Sequence, residues 1–142
     1  MKIFTDNDNL IVVLEKDEEI IKSLREVCKR YNINSGVLTG IGAGKHFEIG
    51  YYDVSSQNYI IRELPEEYEI TNLNGNISIK DDEIVLHIHI NLSDSSFHTF
   101  GGHLFKGIIT GTCEIYITKG KGKLTRKFNK ETKLSLIKSK EE

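Results

Sequence analysis

One segment near the N-terminus has helical periodicity, and almost all of the chain after it alternates like β-strands. Between residues 20 and 31, apolar residues recur every three or four positions, which places them on one face of an amphipathic helix. This stripe consists of Ile20, Ile21, Leu24, Val27, Cys28 and Tyr31. We expect Asp17 to cap the start of the helix and Asn32 or Asn34 to end it. The β-branched run 11–14 before it predicts a buried strand.

Turn signals divide the rest of the chain into about eight or nine strands. The polar residues 55–57 separate two runs that we expect to form a hairpin, and a second turn is expected at 81–82. Four glycines between residues 36 and 44 indicate a strand with bulges or with close approach of another backbone. No helix follows them, which disfavours a phosphate-binding loop. We therefore predict an α+β fold, in which one main helix packs on a mostly antiparallel, half-barrel-like sheet.

Length and composition favour a cytoplasmic globular protein. The 142 residues predict a single domain, 1–142. The first ten residues lack the apolar centre of a signal peptide, and no apolar run is long enough to cross a membrane. Cys28 and Cys113 fall at apolar positions of periodic segments. We expect small buried side chains there rather than a disulfide or metal ligands.

Three of the five histidines lie in two neighbouring motifs, "HIHI" at 87–90 and "GGHL" at 101–104. In a strand, His87 and His89 project side by side from the face opposite an aliphatic one. Two such imidazoles can share a metal ion, and His103 is the candidate third ligand because the two glycines before it permit unusual torsions or tight packing. The alternative is ordinary polar alternation on an exposed strand, and these residues alone leave both interpretations open.

The remaining histidines and several carboxylates are candidates for supporting roles. His98 lies in a polar loop, either as a fourth ligand or as an exposed or pocket-wall residue, and His46 is expected at the surface. If the metal serves an enzyme, a general base is needed. The carboxylates considered for it are Glu48, Asp53, Glu69 and Glu114, although their spacing places none of them near the metal.

The C-terminal segment is basic, although the whole chain carries a net charge of −2. Residues 119–142 contain nine Lys or Arg and three Glu, as a phosphate-binding arm would. Alternation over 124–128 and 134–138 instead favours two paired strands with a turn at 129–132. A DNA-binding surface would require the basic side chains to gather on one exposed face. These are Lys119, Lys121, Lys123, Arg126 and Lys127.

Together these motifs resemble the PPC (plants and prokaryotes conserved) domain family, also called DUF296, in its prokaryotic stand-alone form. The resemblance runs from about residue 8 to 137 and is carried by "LTGIGAG" at 38–44, Glu69–Ser78 and the two histidine motifs. It implies an antiparallel sheet with a packed helix, assembly as a homotrimer, and a zinc ion on three histidines. Those positions match His87, His89 and His103.

The resemblance implies a weaker conclusion about DNA. Plant members bind the AT-rich minor groove through separate AT-hooks with an R-G-R-P core, which this chain lacks. "KGKGK" at 119–123 has similar spacing without arginine or proline. We therefore expect a metal-binding PPC protein of unassigned biochemical role, DNA-binding or regulatory by resemblance only, with DNA bound weakly. The alternative is a zinc-dependent enzyme of unknown substrate that uses an open coordination position.

Overall fold

The computed structural model describes residues 1–138, which form one helix and eight strands. The elements are β1 (Lys2–Asp6), β2 (Asn9–Glu15), α1 (Ile20–Arg30), β3 (Gly36–Asp53), β4 (Asn58–Lys80), β5 (Glu83–Ser93), β6 (Thr99–Lys119), β7 (Arg126–Phe128) and β8 (Ser135–Ile137). The α+β class and the turns at 55–57 and 81–82 are confirmed. Strands β3, β4 and β6 are each long and continuous, whereas the sequence pattern predicts several shorter strands there.

Six strands form an antiparallel sheet in the order β1-β2-β6-β3-β4-β5, and β5 also pairs with β6. Strands β6, β3, β4 and β5 therefore close into a ring, where the sequence predicts a half-barrel-like sheet. The pairing of β3 with β4 and its pairing with β6 both shift register next to Gly42. A Cβ on Gly40 would lie 2.7 Å from the carbonyl oxygen of Glu114. The glycine-rich stretch thus combines bulges with close backbone approach, as predicted.

The helix begins later than the sequence predicts, and its N-cap is Glu19 rather than Asp17. The Glu19 carboxylate accepts hydrogen bonds from the backbone N–H groups of Ile21 at 3.0 Å and Lys22 at 2.6 Å. Asp17 has a φ of 69°, outside the extended region that an N-cap occupies. Its N–H donates instead to the carbonyl of Ile109 at 2.8 Å. Assigning the cap to Asp17 was therefore wrong.

The core lies between the helix and the face of the sheet that it covers. The helix contributes Ile20, Leu24, Val27 and Cys28, all fully buried, and it packs against β5 and β6. Cys28 and Cys113 are buried free thiols, as predicted, and burial raises the pKa of each to about 12. In residues 1–138, no helix is long and apolar enough to span a membrane.

Strands β7 and β8 pair with each other as a separate hairpin, which we call the C-terminal hairpin (126–137). The prediction of two paired strands in this basic segment is confirmed. The Asn129 side chain accepts hydrogen bonds from the backbone N–H groups of Glu131 and Thr132 and so fixes the turn. The carbonyl of Thr132 accepts a hydrogen bond from the Tyr52 hydroxyl at 2.5 Å. The hairpin is thereby held against the main sheet.

Candidate metal centre

Three imidazoles meet where β5 and β6 close the ring. His89 lies directly opposite His103 across this pairing, and His87 projects from the same face two residues earlier on β5. Each histidine offers one ring nitrogen within 4.8 Å of the other two. The ring centroids are 5.2 to 5.6 Å apart. Because ring nitrogens bind zinc at about 2.0–2.1 Å, small side-chain rotations would let all three share one ion.

The two glycines before His103 allow close packing rather than unusual torsions. No glycine within residues 1–138 has a positive φ. A Cβ on Gly102 would lie 2.7 Å from the carbonyl oxygen of Gly50, and one on Gly101 would overlap the carbonyl oxygen of Ile90. Strand β6 can therefore run closely between β3 and β5, and this brings His103 opposite the β5 histidines.

The site favours neutral imidazoles. Burial lowers the pKa of His103 from 6.5 to about 4, and the nearby His87, His89 and Arg126 add to this effect. Burial and the Arg126 charge also lower the pKa of His87. Neutral imidazole is the metal-binding form. Nδ1 of His103 is buried without a hydrogen-bond partner in the described part of the chain. An unpartnered buried nitrogen fits a metal as its missing partner.

Arg126 lies beside the histidines, a position that the sequence analysis missed. Its guanidinium donates from Nε to the Ser78 hydroxyl at 2.7 Å, from Nη1 to the Ser135 carbonyl at 2.7 Å, and from Nη2 to the Asn76 side-chain oxygen at 2.8 Å. Nη2 also lies 3.5 Å from Nδ1 of His87. A sequence signal existed, because this arginine shares one face of the alternating 124–128 run with two apolar residues.

A cavity of about 220 Å³ opens between the main sheet and the C-terminal hairpin. Its polar lining residues include His87, His103, Arg126 and Tyr59, and its apolar ones include Val85, Leu134 and Leu136. The ring of Tyr59 packs 5.3 Å from that of His103, between centroids. A mostly apolar hollow with a few converging polar groups is the usual form of a small-ligand site.

Comparison with known families decides what this chain is. The family model of the Plants and Prokaryotes Conserved (PCC) domain, abbreviated PPC above, matches residues 1–121. The chain belongs to the PPC family. Arg126 and the C-terminal hairpin lie beyond the matched residues. A search of curated proteins gives no match.

Several solved structures share the fold over nearly the whole chain. A PPC protein from Pyrococcus horikoshii is 30% identical, with a TM-score of 0.87 over 97% of this chain and 94% of its own. A metal-containing protein from Archaeoglobus fulgidus is also 30% identical, with a TM-score of 0.87 over 98% and 100%. A "putative DNA-binding protein" from Bacteroides thetaiotaomicron is 28% identical, with a TM-score of 0.94 over 96% of each chain.

None of the carboxylates proposed as a general base lines the histidine cavity of this PPC chain. Glu48 lies 3.4 Å from the Lys106 ammonium, and Asp53 accepts hydrogen bonds from backbone N–H groups in the turn after β3. Glu69 and Glu114 line a different cavity, of about 610 Å³. Within residues 1–138, the three-histidine group contains no carboxylate. A general base taken from these four residues therefore has no support.

The other two histidines lie apart from the group. The His98 side chain is 80% exposed, and its Nδ1 lies 3.4 Å from a carboxylate oxygen of Asp94. It does not belong to the three-histidine group, which disfavours a fourth-ligand role. His46 is exposed, as predicted.

The basic residues of the C-terminal segment do not form one free surface. Arg126 is half-buried at the histidine cavity. The Lys123 ammonium lies 2.8 Å from a carboxylate oxygen of Asp82, and that of Lys119 lies 5.9 Å from the centroid of the Tyr31 ring. Three of the five candidate DNA contacts thus have partners within the protein.

Proposed function

We propose that this PPC protein binds one divalent metal ion, zinc, through His87, His89 and His103. The observation that carries the proposal is the convergence of three imidazole nitrogens within 4.8 Å, one of them on the unpartnered His103 ring. Imidazole suits zinc, and three such ligands leave a fourth position for water or another molecule. Bound zinc would polarise that molecule as a Lewis acid. The metal-containing relative supports the binding of a metal ion, although its description names no particular metal.

Metal analysis of the purified protein tests this proposal. We expect about one zinc ion per chain in the wild type, and none in His87→Ala or His103→Ala. His98→Ala is the matched control and should retain the ion, because its side chain lies outside the group. Stoichiometric zinc in a His87→Ala, His89→Ala double variant would contradict the assignment.

We also propose that the chain assembles as a homotrimer, as the family resemblance implies. An exposed apolar area on β3 and β6 supports association, with Val37 and Ile41 each 59% exposed and Tyr116 54% exposed. Light scattering should report about three times the chain mass of 16.2 kDa. A stable monomer at micromolar concentration would contradict this proposal.

A DNA-binding role in the cytoplasm is the second candidate. It is supported by the description of the Bacteroides relative and by the basic C-terminal segment. The partners of Arg126, Lys123 and Lys119 within the protein count against it. A zinc-dependent enzyme is the alternative use of the metal, and the cavity beside the histidines supports small-molecule binding more directly than DNA binding.

A further inference from the structure

The cavity beside the histidines holds a positive charge that no anionic side chain of the described residues balances. Arg126 is half-buried, and its partners within the protein are neutral: Ser78, Asn76 and Ser135 accept hydrogen bonds from it, and the His87 ring lies beside Nη2. The ion pairs formed within residues 1–138 do not include it. Charges withdrawn from water are normally paired, so an anion from outside this part of the chain is expected here.

The proposed metal would increase this imbalance. Neutral histidines leave the charge of a divalent ion undiminished, and Nη2 of Arg126 lies only 3.5 Å from Nδ1 of His87. A guanidinium has five N–H donors, of which three are used in the hydrogen bonds described above. Even if Nη2 also donates to Nδ1 of His87, one donor remains for an oxygen anion, and a charge-assisted hydrogen bond to a carboxylate is a strong one.

The rest of the cavity limits the size and polarity of the occupant. Its volume of about 220 Å³ is large enough for a small organic molecule. Val85, Leu134 and Leu136 form an apolar part of its wall. An inorganic anion such as phosphate would leave this wall without a partner, whereas a short hydrocarbon chain would cover it.

We propose that the cavity binds a small aliphatic carboxylate, whose anionic end lies between Arg126 and the metal and whose hydrocarbon end contacts the leucines. The metal contact rests on the proposed function, whereas the Arg126 contact does not require it. The Arg126 side chain thus acts as the carboxylate receptor of the site, and the C-terminal hairpin carries it.

Isothermal titration of the full-length protein with isobutyrate tests this proposal, using both the zinc-loaded and the metal-free protein. Isobutyrate should bind, its neutral isostere isobutyramide should not, and inorganic phosphate should bind more weakly. Arg126→Gln should weaken isobutyrate binding about tenfold to a hundredfold, because it removes a charge-assisted hydrogen bond. Lys127→Gln is the matched control: it removes an exposed cation from the same strand and should leave the affinity unchanged.

Circular dichroism and metal content establish that each variant is folded and loaded. If Arg126→Gln does not fold, Leu134→Phe keeps the proposal testable. The larger side chain narrows the apolar part of the cavity and should weaken isobutyrate binding more than acetate binding. Equal effects on the two ligands would overturn the proposed position of the hydrocarbon end.

The outcomes separate this proposal from the metal proposal. Suppose that the chain never takes up zinc, but the metal-free protein binds isobutyrate and Arg126→Gln does not. This result would support the carboxylate site and overturn the proposed function. If the protein binds stoichiometric zinc and Arg126→Gln leaves the isobutyrate affinity unchanged, the proposed function is supported and the carboxylate site is overturned. Phosphate binding tighter than isobutyrate binding would overturn the carboxylate class.

Discussion

Acidification should destabilise the metal-free protein through His103. Burial gives this imidazole a pKa of about 4 in the folded protein, against 6.5 as its ordinary value, so the unfolded chain takes up its proton first. Stability from the neutral ring is therefore fully present above pH 6.5 and is lost as the pH falls toward 4. The lowered pKa of His87 acts in the same direction.

The size of the effect follows from these two pKa values. Between pH 7 and pH 5, proton linkage removes about 1.8 kcal/mol of unfolding free energy for an ideal site. Partial exposure of the ring reduces the expectation to about 1 kcal/mol. His103→Gln cannot take up this proton. Between pH 7 and pH 5, its unfolding free energy should therefore fall by less than that of the wild type, and the difference should equal this amount.

Urea unfolding, followed by circular dichroism at equal protein concentrations after treatment with a chelator, measures this difference. Wild type and His103→Gln are compared at pH 7 and pH 5, so that groups common to both proteins cancel. An equal loss of stability in the two proteins would refute the reasoning, because the ring would then have the same proton affinity folded and unfolded.

Three further predictions concern the core, the helix cap and DNA. Phe47→Ala should lower the unfolding free energy by about 3–5 kcal/mol because its ring is fully buried, whereas Phe97→Ala, at an 88% exposed position, should change it by less than about 0.5 kcal/mol in urea titrations. Glu19→Ala should cost about 1 kcal/mol in the same assay, since the backbone N–H groups of Ile21, Lys22 and Gly107 lose their acceptor. The chain should bind duplex DNA no more tightly than about 10⁻⁶ M near physiological salt. Nanomolar, AT-selective binding in a salt titration would instead place DNA binding first.

Local patterns predicted those features that depend on neighbouring residues in the chain. The helical stripe that begins at Ile20 indicates which face of α1 is buried, and the alternation around His87 and His89 indicates which face of β5 is buried. Both predictions are correct. The turns at 55–57 and 81–82 also depend on short polar segments.

Features that depend on distant contacts could not be predicted in the same way. Arg126 reaches the histidines only because the C-terminal hairpin lies against β4, through hydrogen bonds to residues about 50 positions earlier. The N-cap was misplaced because a backbone hydrogen bond from Asp17 to Ile109 holds the residues before the helix in another conformation. The alternation over 124–128 indicates the face on which Arg126 lies but not its partners, and the contact of Asp17 leaves no periodic pattern in the sequence.

The pairing of β5 with β6 is short, with five residue pairs from His89↔His103 to Ser93↔Thr99. It is the seam at which the ring closes, and the pair at one end of it consists of two of the three histidines. Any molecule that bridges these imidazoles also links the two strands across the seam. Occupancy of the site and closure of the sheet are then one coupled equilibrium: the bound form resists opening, and local opening of the seam releases what is bound.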